Sequence, residues 1–157
     1  AATRVTVIDP NIRPGFITDE ASYRARLTRM LGAADIIKSS DEDLAWITGN
    51  TDARALLDST GAKIILLTRG SDGVTVVTAT DQFDVPAQKA TVVDTVGAGD
   101  TFSAGFLAEL DKRGLLTKQA LATVTVDDLT AATAFGARVA AITVSRAGAN
   151  PPWASEL

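Results

Sequence analysis

Apolar residues along this chain follow two alternating periods. Short runs rich in β-branched residues at 5–8, 36–38, 63–67 and 74–77 have the pattern of strands buried in a sheet, and 63–67 is the clearest of them. Between them, apolar positions recur every three or four residues. Tyr23, Leu27, Met30 and Leu31 follow an Asp19 cap, and Leu44, Trp46 and Ile47 follow Ser40 and the acids Asp41, Glu42 and Asp43. A further helix over about 52–58 ends near Gly61. Prolines and a glycine make 9–15 a loop, and 68–73 is a tight turn into 74–77, with 82–85 as a further strand of a hairpin-like segment. A brief strand at 91–93 precedes a helix with Phe102, Phe106, Leu107 and Leu110 on one stripe. Thr125 or Asp127 starts a last long helix through Ala131, Ala134, Phe135 and Val139, and a strand-like run at 141–144 follows. Strands alternating with helices predict an α/β fold, a central, mostly parallel sheet flanked by helices.

Composition narrows the partners. The chain has 157 residues, 46% of them hydrophobic, which is enough for one real core. A net charge of −4, with no cationic run longer than two, argues against nucleic acid or an anionic membrane. With neither cysteine nor histidine, thiolate and imidazole metal sites are excluded, so a bound metal must have oxygen ligands. No apolar run approaches the roughly 20 residues of a membrane span, and the expectation is a soluble cytoplasmic protein acting on a small molecule.

The chemistry concentrates at Gly97-Ala98-Gly99-Asp100. Two glycines at a helix start let consecutive backbone N–H groups converge on an anion at the positive end of the helix. A carboxylate there opposes an anion, unless it accepts a proton from a hydroxyl that attacks that anion. Phosphoryl transfer unites the two features: the amides of Gly97, Ala98 and Gly99 stabilise charge, and Asp100 activates the nucleophile. Taken alone, the same residues also describe an ordinary tight turn with an acid in the first helical turn.

The longer stretch Asp94-Thr95-Val96-Gly97-Ala98-Gly99-Asp100-Thr101-Phe102-Ser103-Ala104-Gly105-Phe106-Leu107 resembles the C-terminal signature of the PfkB (ribokinase-type) carbohydrate kinases. Three further segments agree in order. Ser40 and Asp43 fall at the two ends of the family's Asn-x-x-Glu motif, which organises magnesium and phosphates through water, and both depart from its residue types. Ser40 is equally natural as a helix cap. The turn Thr68-Arg69-Gly70-Ser71-Asp72-Gly73 is similar to the family's segment beside the nucleotide phosphates, and Ala147-Gly148-Ala149-Asn150 to its loop beside adenine and a monovalent cation. Asp9-Pro10-Asn11-Ile12-Arg13 resembles the D-x-N-x-R loop of the fructokinase and 2-keto-3-deoxygluconate kinase branches, although Asp9 and Arg13 can also simply pair across a loop.

The resemblance implies a ribokinase-like fold, of which residues 1–157 are the C-terminal portion. It implies ATP and Mg2+ as cofactors, and potassium held by backbone carbonyls around Asp94, Val96 and Ala147. Lys38, Ser40, Asp43, Thr68, Arg69, Gly70, Gly73, Gly99, Ala147 and Asn150 are implied on the nucleotide side, with Asp43 reaching magnesium through water. Asp9, Asn11, Arg13 and Asp100 are implied on the acceptor side, and Arg13 also beside the transferring group. Fructose is the first expectation for the acceptor and 2-keto-3-deoxygluconate the second. A non-catalytic nucleotide-binding relative is the alternative of a different class. The resemblance also implies an N-terminal half with the lid, in the same or another chain, and a homodimer when complete.

Overall fold

The computed structural model describes residues 4–157. The chain divides into two compact units, one comprising residues up to 69 with 75–83, the other residues 70–74 with 84–157.

In the first unit, β1 (Val7–Ile8), β2 (Ile36–Ser40) and β3 (Ile64–Thr68) pair in parallel, with Ile36 opposite Val7 and Ile64. Sheet order continues through β4 (Val74–Val77) and β5 (Gln82–Val85) as β1-β2-β3-β4-β5. The strand expected at 5–8 is shorter because Thr6 turns its backbone to Asp35. Its N–H meets Asp35 Oδ2 at 2.8 Å, and its carbonyl accepts the N–H groups of Asp35 and Ile36. Strands β4 and β5 are joined by a turn in which Thr78 N–H donates to Asp81 O at 2.9 Å, and the Arg54 guanidinium bonds the carbonyls of Thr78 and Asp81 from outside. The expected hairpin-like segment is therefore present, closed by a cation from the preceding helix.

Three helices belong to this unit, and each starts where an Asp or Ser oxygen can accept a first-turn N–H. Asp19 caps α1 (Glu20–Leu31), Ser40 caps α2 (Asp41–Thr48) and Asp52 caps α3 (Ala53–Thr60); α2 and α3 end on glycines, Gly49 and Gly61, in the left-handed conformation. Leu27, Leu31, Leu44, Leu56 and Leu57 from the helices pack on Ile37, Ile65, Leu67 and Val77 of the strands. The alternate strand positions Ile36, Ile64, Leu66 and Val76 are withdrawn from water to the same degree, so the strands read as continuous apolar runs, as parallel strands do. At roughly 1.5–3 kcal/mol for each fully buried aliphatic side chain, these positions dominate the unit's stability.

The second unit is built on α4 (Ala98–Lys112) and α5 (Val126–Val144), the latter capped by Thr125. The helices cross at two glycines. A Cβ on Gly136 would lie 2.7 Å from Phe102 O, and one on Gly105 would lie 2.9 Å from Val139 Cγ2. Two expectations fail here. Residues 141–144 are the last turn of α5, not a strand. Ile142, Thr143 and Val144 favour strands locally, but the Thr143 hydroxyl bonds Val139 O at 3.0 Å and is fully buried, so packing carries the helix through them. Residues 91–93 form no strand; Val93 N–H instead donates to the carbonyl of Val144, the last residue of that helix, at 2.7 Å.

Candidate functional site

The segment before α4 is tied to the end of α5. Val93 and Asp94 N–H both reach Val144 O, and the Asp94 carboxylate then joins two loops, Oδ1 accepting from Val96 N–H at 3.0 Å and Oδ2 from Gly148 N–H at 2.9 Å. These N–H groups, Val96 first, hold the Asp94 carboxyl below the usual aspartate range. The loop 147–150 thereby comes so close that a Cβ on Gly97 would meet Ala149 Cβ at 3.0 Å. Gly97 sits at φ 81°, a left-handed turn that swings the chain into α4. Its conformation and its lack of a side chain are both used.

The helix head beyond Gly97 is open. Ala98 N–H donates to Thr95 O at 3.2 Å, so this amide, expected to face an anion, is occupied. Among the described residues no acceptor meets the N–H of Gly97 or Gly99, and no side chain caps the helix. Asp100 in the first turn is exposed, with no ion pair or side-chain hydrogen bond among the described residues. The sequence thus places two donors and a solvent-facing carboxylate within one helical turn. A groove of about 620 Å³ in this unit lies elsewhere, toward the far end of α4, against Glu109, Lys112, Phe135 and Arg138. Gly73, also in this unit, takes φ 93° where a Cβ would collide with Val85 O, so its turn requires glycine.

In the first unit the remaining candidates gather past the carboxyl ends of the strands, where α/β sheets bind ligands. Lys38, 7% exposed, sends Nζ to Asp9 Oδ2 at 2.7 Å. The local pairing of Asp9 with Arg13 is therefore not what forms: Lys38 on the neighbouring strand lies nearer, while Arg13 Nη1 turns to Ile12 O at 2.9 Å. Asp9 Oδ1 is buried without a hydrogen-bond partner. Ser40 Oγ accepts from Asp43 N–H at 3.0 Å, and Thr68 Oγ1 donates to Ser39 O at 3.3 Å. Asp43 is buried and its Oδ1 accepts from Ile12 N–H at 2.9 Å, a contact sequence reading missed because its partner is a backbone amide 31 residues away. Asn11 and Arg13 stand exposed on either side of Ile12, and Arg69 is half-buried. No cluster of three or more acidic side chains suited to a metal ion occurs among the described residues. A cation that keeps its waters and rides on phosphates needs no such cage. Among those residues no helix is long and apolar enough to cross a membrane.

Solved structures define the class first. A fructokinase with bound ATP from Xylella fastidiosa superposes with a TM-score of 0.84 at 27% identity, covering 92% of this chain and 47% of that one. A fructokinase from Vibrio cholerae O395 bound to fructose, ADP and calcium gives 0.74 at 26%, covering 91% and 45%. The fold is ribokinase-like. The family follows from sequence: the pfkB family carbohydrate kinase model matches residues 1–156, and the chain belongs to that family. A fructokinase of Rhizobium leguminosarum bv. trifolii is 50% identical over 127 residues, 79% of this chain and 39% of that protein. The chain thus spans less than half the length of these relatives.

Proposed function

We propose that this chain carries the nucleotide-phosphate side and the general base of an ATP-dependent kinase that phosphorylates a hydroxyl of fructose. The observation that carries the reading is the open head of α4, where among the described residues the Gly97 and Gly99 amides meet no acceptor and the Asp100 carboxylate has no partner. In the reaction, Asp100 takes the proton of the sugar hydroxyl and the freed oxygen bonds to the γ-phosphorus. The bond from that phosphorus to the β–γ bridging oxygen breaks, and ADP leaves. The two amides stabilise the negative charge on the transferring group. Ala98 contributes by its backbone turn, its amide being used on Thr95.

Magnesium, when bound with ATP, neutralises phosphate charge. The buried Asp43 has one carboxylate oxygen committed to Ile12, so its other oxygen is the one available to a metal-bound water. A monovalent cation beside this site would depend on carbonyls near Val96 and Ala147, since both Asp94 carboxylate oxygens accept backbone N–H groups. Arg13 and Asn11 are read as acceptor-side groups, Lys38 as the cation that orients Asp9, and Thr68, Arg69, Gly70, Gly73 and Asn150 as nucleotide-side positions. The rest of the kinase, in the same or a second polypeptide, supplies further acceptor contacts, and a homodimer is the assembly this reading favours. ATP as donor suits a cytoplasmic protein. Fructose as acceptor is supported by the 50% identity to a fructokinase.

The test is ADP release by the complete polypeptide with ATP, magnesium and a panel of fructose, 2-keto-3-deoxygluconate, ribose and adenosine. Fructose is expected to give the highest kcat/KM. A higher value for another acceptor replaces the substrate, and no sugar-dependent ADP release in any case supports a nucleotide-binding relative without catalysis.

A further inference from the structure

The loop after β1 has an unusual build. Ile12 is 5% exposed and packs in the core of the first unit, between two exposed polar residues. Both of its backbone groups are held by side chains: N–H by Asp43 Oδ1 at 2.9 Å, and C=O by Arg13 Nη1 at 2.9 Å. Before it, Asn11 takes φ 43°, the one positive φ at a non-glycine position among the described residues, a conformation that asparagine tolerates better than most residues and that persists where the surrounding contacts hold it. Asp43 is placed for this by its own helix, since its N–H is capped by Ser40 Oγ at the start of α2. A buried carboxylate gripping a single amide 31 residues away fixes the loop at its centre, so that Asn11 and Arg13 project from a fixed point.

We propose that Asp43 is a positioning residue for the acceptor side of the site, working as a hydrogen-bond acceptor for Ile12 N–H and thereby setting the placement of Asn11 and Arg13. The proposal rests on the kinase reading only for what the loop binds; the clamp itself stands on the geometry. It differs from a role beside magnesium in what it demands of the side chain. A metal contact uses the negative charge, whereas the clamp uses one well-placed oxygen, which an amide also provides.

Asp43→Asn and Asp43→Ala in the complete polypeptide separate the two. Asp43→Ala leaves a buried N–H without an acceptor, and the expected result is a rise of about tenfold in acceptor KM, a smaller change in ATP KM, and faster hydrogen exchange at the Ile12 amide. Asp43→Asn keeps an acceptor oxygen for Ile12 N–H and is expected to restore slow exchange at Ile12 and near-wild-type acceptor KM, with any loss at the metal-bound water read separately as a higher magnesium requirement. An Asp43→Asn variant with an acceptor KM as impaired as that of Asp43→Ala would overturn the proposal in favour of a charge-dependent role. Unchanged Ile12 exchange in Asp43→Ala would overturn the clamp directly. Should the wild-type protein phosphorylate no sugar, the kinase reading and the acceptor role fall together, and the exchange rates still decide the clamp.

Discussion

At the head of α2 the Ser40 hydroxyl accepts the Asp43 N–H, and the Asp43 carboxylate turns inward to Ile12. At the head of α4 a left-handed glycine stands where a capping side chain would be, and the carboxylate of Asp100 faces water. Both helices meet the same requirement, since the first N–H groups of any helix lack partners within it. The first meets part of it from its own chain and uses its acid to fix a distant loop; the second leaves donors for something else to meet. An acid in a first helical turn is therefore ambiguous until its partners are known.

The comparison breaks most visibly at Asp100. Asp100→Asn is expected to lower kcat by about 10² to 10⁴ with little change in ATP affinity, the range for losing a general base. Activity within error of wild type, measured by coupled ADP release, would make the two helix heads equivalent. A smaller effect of a different kind is expected at Ser40. Ser40→Ala removes an N-cap and should lower unfolding stability by about 1 kcal/mol in denaturant titration, with a far smaller loss of kcat than Asp100→Asn. A kcat loss matching that of Asp100→Asn, at unchanged stability, would move Ser40 to the phosphates.

The smallest effect is expected at Asp94, which is partly exposed. Its folded-state pKa lies below that of the unfolded chain. Its contribution to stability is thus complete above the ordinary aspartate value of 3.8 and is lost as pH falls below it. Asp94→Asn should accordingly flatten the acid limb of a stability-versus-pH curve while leaving its slope near neutrality unchanged. An identical acid limb in the two proteins would show that the tie to Val96 and Gly148 does not persist in solution.

Legibility in the sequence followed the range of the interaction. The caps at Asp19, Ser40, Asp52 and Thr125 act within three residues, and those helices begin where they were expected. The Gly97–Asp100 segment alone is also an ordinary turn with an acid in the first helical turn; the fourteen-residue stretch around it pointed to the family, and the family match agrees with that. Residues 141–144 misled because local strand preference pointed one way and the burial of Thr143 as part of α5 the other. Lys38 with Asp9 and Asp43 with Ile12 stayed hidden because parallel pairing brings residues 29 and 31 positions apart together, and no local pattern encodes that. Asp94 was half legible. An aspartate bonding the N–H two residues on has a recognised turn pattern, whereas its bond to Gly148 depends on how α5 ends.

The crossing of α4 and α5 sets a mechanical tolerance for the placement of Asp100, the proposed base. Phe102 O, which a methyl group on Gly136 would crowd to 2.7 Å, belongs to a residue two positions from Asp100 on the same rigid rod. Over that span a helix rises only about 3 Å, so a sideways push at Phe102 reaches the carboxylate almost undiminished. The clearance available to Asp100 is in effect the thickness of one absent methyl group on the neighbouring helix.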